Sequence, residues 1–133
     1  MLRLEIVTPD QKIYSEDVDS VVIPGIEGEF GVLPQHVPLM TQLVPGELRV
    51  LKGVEEIRLA VGGGFVEISS DKVAVLTDMA IKESDIDESD AEEGVRRAEA
   101  AMLSGKMSDE EHATVKASLQ KSLAQIRVKR RRV

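Results

Sequence analysis

Up to about residue 81, apolar side chains recur at every second position in short runs, and each run is closed by a turn signal. Leu2, Leu4 and Ile6 alternate with Arg3 and Glu5, and Thr8-Pro9-Asp10 then turns the chain. Period-two spacing sends one set of side chains to one face of a strand. Further strands read from Lys12 to Ser15, from Val18 to Ile23 before Pro24-Gly25, and from Met40 to Leu43 before Pro45-Gly46. Leu48 and Val50 form another, reversed around Lys52-Gly53, and Ile57, Leu59 and Val61 the next. Gly62-Gly63-Gly64 interrupts, Phe65, Val66 and Ile68 resume, Ser70-Asp71 turns, and Val73 to Leu76 closes the series. Short strands punctuated this regularly specify an antiparallel sandwich or barrel. Its core is expected to be Leu, Ile and Val with Phe30 and Phe65.

The stretch Gly28 to Leu39 holds two glycines, two prolines and the first of only two histidines. Pro34 and Pro38 cannot donate to a sheet ladder, so they belong at strand ends or edges. The stretch therefore reads as a rigid, shaped loop between strand-like runs rather than a floppy one.

Beyond Ile81 the pattern changes. The last of the five prolines is Pro45, and Ala becomes frequent. Ala91, Val95, Ala98 and Met102 fall on one face of a helix. Asp87, Glu88, Asp90, Glu92 and Glu93 crowd its first turns, where negative charge complements the helix dipole. Ser104-Gly105-Lys106 offers a stop. Ser108 and Glu111 are spaced as a capping box for a second helix, with an expected face of Val115, Leu119, Leu123 and Ile126. So short a link implies an antiparallel hairpin. The chain thus divides into a β domain over residues 1–84 and a helical hairpin over 85–133.

Charge divides the same way. The net charge is −7. Residues 1–84 hold 14 Asp+Glu against 7 Lys+Arg, whereas residues 85–133 hold 10 of each, with Arg127, Lys129, Arg130, Arg131 and Arg132 packed into the end. A cluster that dense meets an anionic partner: an acidic protein surface, a lipid headgroup or a nucleic acid.

Several functions are disfavoured. No run nears the roughly 20 apolar residues of a membrane-spanning helix. The start lacks the pattern of a secretory leader. With no Cys, thiolate chemistry, disulfides and the usual zinc knuckles are excluded together. Only Tyr14, Phe30 and Phe65 are aromatic, too few for a base-stacking platform. His36 and His112 have no nucleophile or second ligand in catalytic or metal-binding spacing, so His36 reads as a structural or interface residue and His112 as a surface one. The glycine run is followed by a strand and lacks a Gly-Lys-Ser/Thr, so it reads as a bulge or close backbone crossing, not a phosphate cradle. No enzyme site, metal or cofactor is expected.

Gly-Glu-Phe-Gly-Val-Leu-Pro-Gln-His-Val-Pro-Leu over residues 28–39 resembles the signature of the ε subunit of F-type ATP synthases, the δ subunit of the mitochondrial enzyme. Val7-Thr8-Pro9-Asp10, Gly63-Gly64-Phe65-Val66-Glu67-Ile68, Asp71-Lys72-Val73 and Leu123-Ala124-Gln125-Ile126-Arg127-Val128 extend the likeness in order along the chain. The resemblance implies a β-sandwich of ten strands followed by a helical hairpin. It implies a non-catalytic subunit of the rotor's central stalk in a proton-translocating enzyme, with the γ subunit, the c-ring and the α/β catalytic head as partners. It implies a peripheral position on the cytoplasmic side of a bacterial plasma membrane. Glu29, Gly31 and His36 match the part of the family that lies toward γ and the c-ring loops. The helices of the family fold down on the sandwich or extend along γ and inhibit ATP hydrolysis; the cations Arg127, Lys129, Arg130, Arg131 and Arg132 would then meet the β subunits. Some members bind ATP through an Ile/Leu-Asp-x-x-Arg-Ala run, matched here by Ile86, Asp87 and Ala91. Asp90 stands in place of the Arg, so nucleotide binding is expected to be weak or absent. The rival reading, without the resemblance, is a small basic-tailed protein that binds nucleic acid or anionic membrane, and net negative charge with scarce aromatics counts against nucleic acid.

Overall fold

A computed structural model describes residues 1–130. Ten strands come first: β1 (Leu2–Val7), β2 (Lys12–Val18), β3 (Ser20–Gly25), β4 (Gly28–Val32), β5 (Leu39–Leu43), β6 (Gly46–Lys52), β7 (Glu55–Val61), β8 (Gly64–Ile68), β9 (Lys72–Thr77) and β10 (Ala80–Lys82). A single 3₁₀ turn, Glu83–Asp85, leads to α1 (Glu88–Leu103) and α2 (Asp109–Arg130). The strands pair in the order β10-β7-β6-β3-β5-β8-β9-β1-β2, with β4 also on β3. One residue pair, Gly25 with Leu43, joins β3 to β5. There the ladder folds over, and two layers face each other. Leu4, Ile6, Ile23, Leu48, Val50, Leu59, Val66 and Val75 alternate inward from both layers and are fully buried. This is the apolar alternation of the sequence realised as a sandwich.

Three local expectations are corrected. Gly28–Val32 is a strand, paired with β3 from Val32 opposite Val21 to Gly28 opposite Gly25; only residues 33–38 form the loop. Its glycines weaken strand propensity, but β3 supplies a complete partner. The sheet is also not wholly antiparallel, because β1 and β9 run parallel, with Ile6 opposite Val75. Finally, Phe65 lies outside the core, 58% exposed, and Phe30 only packs against its margin. On β8 the inward positions belong to Val66 and Ile68, and period two sends Phe65 to the other face.

Gly64 confirms the close crossing at the glycine run. It has φ of +154°, and a Cβ there would come within 1.9 Å of the Leu76 carbonyl oxygen.

The helices follow their signals. Asp87 caps α1, its carboxylate accepting from the Asp90 N–H at 3.1 Å. Ser108 Oγ accepts from the Glu111 N–H and donates to the Glu111 carboxylate, both at 3.1 Å. Gly105 takes the positive φ of a helix stop, +68°. Ala91 and Ala98 are buried on the expected face of α1. In α2 the buried residues are instead Ala124 and Val128, and Leu123 is exposed. The reason is that α2 serves two surfaces. It lies on β6 and β7 with one side and receives α1 on another. Ala124 and Val128 join Ala60 and Ile86 in a small second core, edged by Met79 and Ile81. Toward α1 the contact is made by small side chains; a Cβ on Gly94 would meet Ser122 Oγ at 2.5 Å.

Candidate partner-binding surfaces

Two surfaces of the sandwich differ sharply. Over β6 and β7 the outer face is covered by α2. Over β5, β8, β9 and β1 it is open. On that open face the ladder places Gln42 opposite Phe65, Phe65 opposite Leu76, and Leu76 opposite Val7. Opposed residues point to the same side of a sheet. Phe65 is 58% exposed and Leu76 51%, and Met40 on β5 is 66% exposed. The row runs into an open groove of about 430 Å³ lined by Val7, Thr8, Pro9, Gly63, Gly64 and Leu76. Contiguous exposed apolar surface marks a place where another molecule sits. The sequence reading missed it because Phe65 was assigned inward by hydrophobicity; the parity of Val66 and Ile68 was the available signal.

The polar candidates are held by different neighbours. Glu29, on β4, accepts an ion pair from Arg49 Nη2 at 3.0 Å, and Arg49 Nη1 lies 3.5 Å from the carboxylate of Glu47. Glu29 is half exposed and Glu47 is buried. Gly31 is exposed, with room for a side chain. His36 lies in the 33–38 loop, its Nδ1 2.6 Å from the Val37 carbonyl oxygen. That loop is pinned by the Gln35 N–H donating to Ser70 O in the β8–β9 turn, with Gln35 at φ +66°. Glu29 is thus tied to β6, while His36 is placed by the opposite layer, and no hydrogen bond or ion pair joins them among the described residues. Leu33 and Val37 project from the same loop, 65% and 75% exposed.

The basic end of α2 is partly engaged. Arg130 donates to the carboxylates of Glu88 and, at 3.1 Å, Glu92, in the first turns of α1. The hydrogen bond to Glu88 and then the nearby charges hold its guanidinium still more firmly protonated than usual. Lys129 donates to the Glu83 carbonyl at 3.2 Å, and Lys121 pairs with Asp78 at 3.2 Å. Arg127 is exposed. Arg131 and Arg132 lie outside the described residues. Of the run matched to a nucleotide motif, Ile86 belongs to the second core, Ala91 is buried in the hairpin and Asp87 is the cap of α1.

Residues 1–83 match the beta-sandwich domain of the ATP synthase Delta/Epsilon chain, and residues 84–130 match its long alpha-helix domain. This chain belongs to the ATP synthase delta/epsilon family. Its similarity to bacterial members is extensive. The ATP synthase epsilon chain of Dehalococcoides mccartyi is 44% identical over 131 residues, covering 98% of this chain and 94% of that one. That of Nitratidesulfovibrio vulgaris is 44% identical over 128 residues, covering 96% and 95%. Among solved structures, a chain of the Euglena gracilis mitochondrial ATP synthase, determined with OSCP, F1 and c-ring, superposes with a TM-score of 0.77 at 25% identity, over 92% of this chain and 78% of that one. The Tetrahymena thermophila mitochondrial central stalk and c-ring structure shares the fold at a TM-score of 0.54 and 14% identity, over 64% and 69%. The expected ten-strand sandwich and helical hairpin of the delta/epsilon family are both present. Among the described residues, no helix is long and apolar enough to cross a membrane.

Proposed function

We propose that this chain is a non-catalytic central-stalk subunit of a proton-translocating ATP synthase, linking the membrane ring to the catalytic head and restraining ATP hydrolysis through its helices. The observation that carries this reading is the apolar row of Phe65, Leu76 and Val7 on the sheet face that the helices leave open. A free-standing domain has no use for such a row, whereas a stalk subunit needs a wide face for its neighbour. The γ subunit is the proposed occupant of that face. Glu29, Gly31 and His36, with Leu33 and Val37 beside them, are the proposed contacts toward γ and the polar loops of the c-ring. Arg127, Lys129, Arg130, Arg131 and Arg132 are the proposed contacts with the β subunits when α2 is released. Through these partners the chain is peripheral to the bacterial plasma membrane on its cytoplasmic side. ATP binding at residues 86–91 is expected to be weak, because Asp90 places an anion where phosphate would need a cation.

The test is assembly. Phe65→Ser combined with Leu76→Ser removes apolar area that is already in water, so folding is expected to be preserved. Each side chain of this size contributes about 1.5–3 kcal/mol when fully buried. Binding to a γ–c-ring complex is therefore expected to weaken tenfold or more, roughly 1.4 kcal/mol per factor of ten. A folded double variant that assembles as tightly as the wild type removes this face from the interface.

A further inference from the structure

We propose that β4 is an acceptor edge: the main-chain groups of Glu29 and Gly31 take up a short basic segment, from a polar loop of the membrane ring, as an added strand. The direction of each main-chain group follows from β3. The Val44 N–H donates to Pro24 O at 3.0 Å, and the Ile26 N–H donates to Gln42 O at 3.0 Å. Pro24 and Ile26 thus turn their polar groups toward β5. Successive residues of a strand turn theirs to opposite sides, so Val21, Ile23 and Gly25 turn toward β4. Their partners there are Val32, Phe30 and Gly28. The alternation leaves the N–H and C=O of Glu29 and Gly31 turned away from β3. Among the described residues β4 pairs with β3 alone, in unbroken register, and it holds no proline. Glu29 and Gly31 are exposed, and nothing lies within 4 Å of a Cβ on Gly31. No hydrogen bond reaches their main-chain groups among the described residues.

An open edge of this kind pairs with an extended peptide. Its outward residues are bounded by the turn at residues 26–27 and by the 33–38 loop. That length suits the apex of a loop and not a long strand. Glu27 and Glu29 flank it, both exposed, so a basic side chain on the incoming segment is matched and an acidic one is repelled. The same charges discourage two copies of this chain from pairing edge to edge, the usual hazard of an open strand. The wide apolar face over β5, β8, β9 and β1 suits a neighbour of different chemistry, which leaves γ there and a ring loop at β4. The edge stands on hydrogen-bond directions; the choice of the ring as its occupant rests on the partner contacts proposed above.

Residue-resolved amide exchange on the full-length chain is the test. In the free chain the Glu29 and Gly31 amides are expected to exchange about tenfold or more faster than those of Phe30 and Val32. In a γ–c-ring complex they are expected to slow by about tenfold or more, and with γ alone to stay fast. Protection of Glu29 and Gly31 already in the free chain overturns the open edge. Amides that stay fast in the γ–c-ring complex overturn strand addition, and slowing with γ alone overturns the ring as occupant. Substitution gives an independent readout. Gly31→Pro removes one outward N–H, which an edge strand tolerates, and is expected to weaken binding to the γ–c-ring complex about tenfold. Gly31→Ala keeps that N–H and is expected to lose no more than about twofold. Equal losses in the two variants mean a contact sensitive to a side chain at position 31, which discards strand addition and keeps Gly31 as a partner contact. No loss in either discards both. If Gly31→Pro does not fold, the exchange comparison decides.

Discussion

Glu5 shows how much of this fold is fastened by single charges. It lies on β1 between Lys72 of β9 at 2.9 Å and Lys12 of β2 at 3.3 Å, with Ser15 Oγ donating to the same carboxylate at 3.3 Å. One side chain thus ties the parallel β1–β9 pair to the β1–β2 pair. The hydrogen bond from Lys72, then that from Lys12, lowers its carboxyl from 4.5 to about 2. A lowered value means that the unfolded chain takes up the proton first. The stabilisation is therefore complete above 4.5 and is lost as pH falls toward about 2. Urea unfolding of wild type and Glu5→Gln between those limits is expected to show a stability gap that is widest at the upper end and closes at the lower. A gap that stays constant across this window would mean that the side chain acts by packing and not by charge.

At the scale of elements, the strands were legible because turn chemistry and period-two alternation agreed along most of the first 82 residues. The exceptions have physical causes. β4 hid behind Gly28 and Gly31, whose strand conformation is enforced by β3 and not by their own propensity. The parallel pairing of β1 with β9 joins Arg3 to Lys72, a separation at which local pattern carries no information. Phe65 was expected in the core by its hydrophobicity, and the exposed apolar row on the open face went unseen with it. In α2, Ala124 and Val128 take the buried positions expected of the larger Leu119, Leu123 and Ile126, because a helix shared between a sheet and a second helix uses small residues to approach both. The site residues fared similarly. Glu29 was visible as a charge on a punctuated stretch, but its tie to Arg49, twenty positions along, needed the fold. Because α1 packs chiefly on α2, and α2 on the sheet, the seat of α2 should govern the whole hairpin. Val128→Asp places a charge in the second core, where burial without a partner costs several kcal/mol. Exchange is expected to rise throughout α1 and α2 while β1, β6 and β9 keep their protection. Loss of protection in those strands as well would mean that hairpin and sandwich unfold as one unit.

At the scale of the molecule, the proposed restraint of hydrolysis can be separated into charge and bulk. Freed from the sheet, the 22 residues of α2 reach about 33 Å at 1.5 Å per residue. The leading end carries Arg127, Lys129 and Arg130, followed in sequence by Arg131 and Arg132. Docked, the same end is occupied: Arg130 is held by Glu88 and Glu92, and Lys129 by the Glu83 carbonyl. Changing all five cations to Ala therefore does two things at once. It removes the charges that would meet the β subunits, and it removes part of the latch that keeps α2 down. If helix bulk alone obstructs the head, the variant extends more readily and inhibits ATP hydrolysis more than wild type. If the cations do the obstructing, the variant inhibits less even though it extends more. The two mechanisms thus predict opposite signs in one assay with a reconstituted head. We expect less inhibition, and we expect wild-type inhibition to weaken between low and moderate salt, since exposed ion pairs are screened over about 10 Å at 0.1 M. Glu88→Gln with Glu92→Gln supplies the control, because it loosens the latch and keeps every cation. That variant should inhibit more than wild type under either mechanism, and if it does not, Arg130 is no part of what holds the helices down.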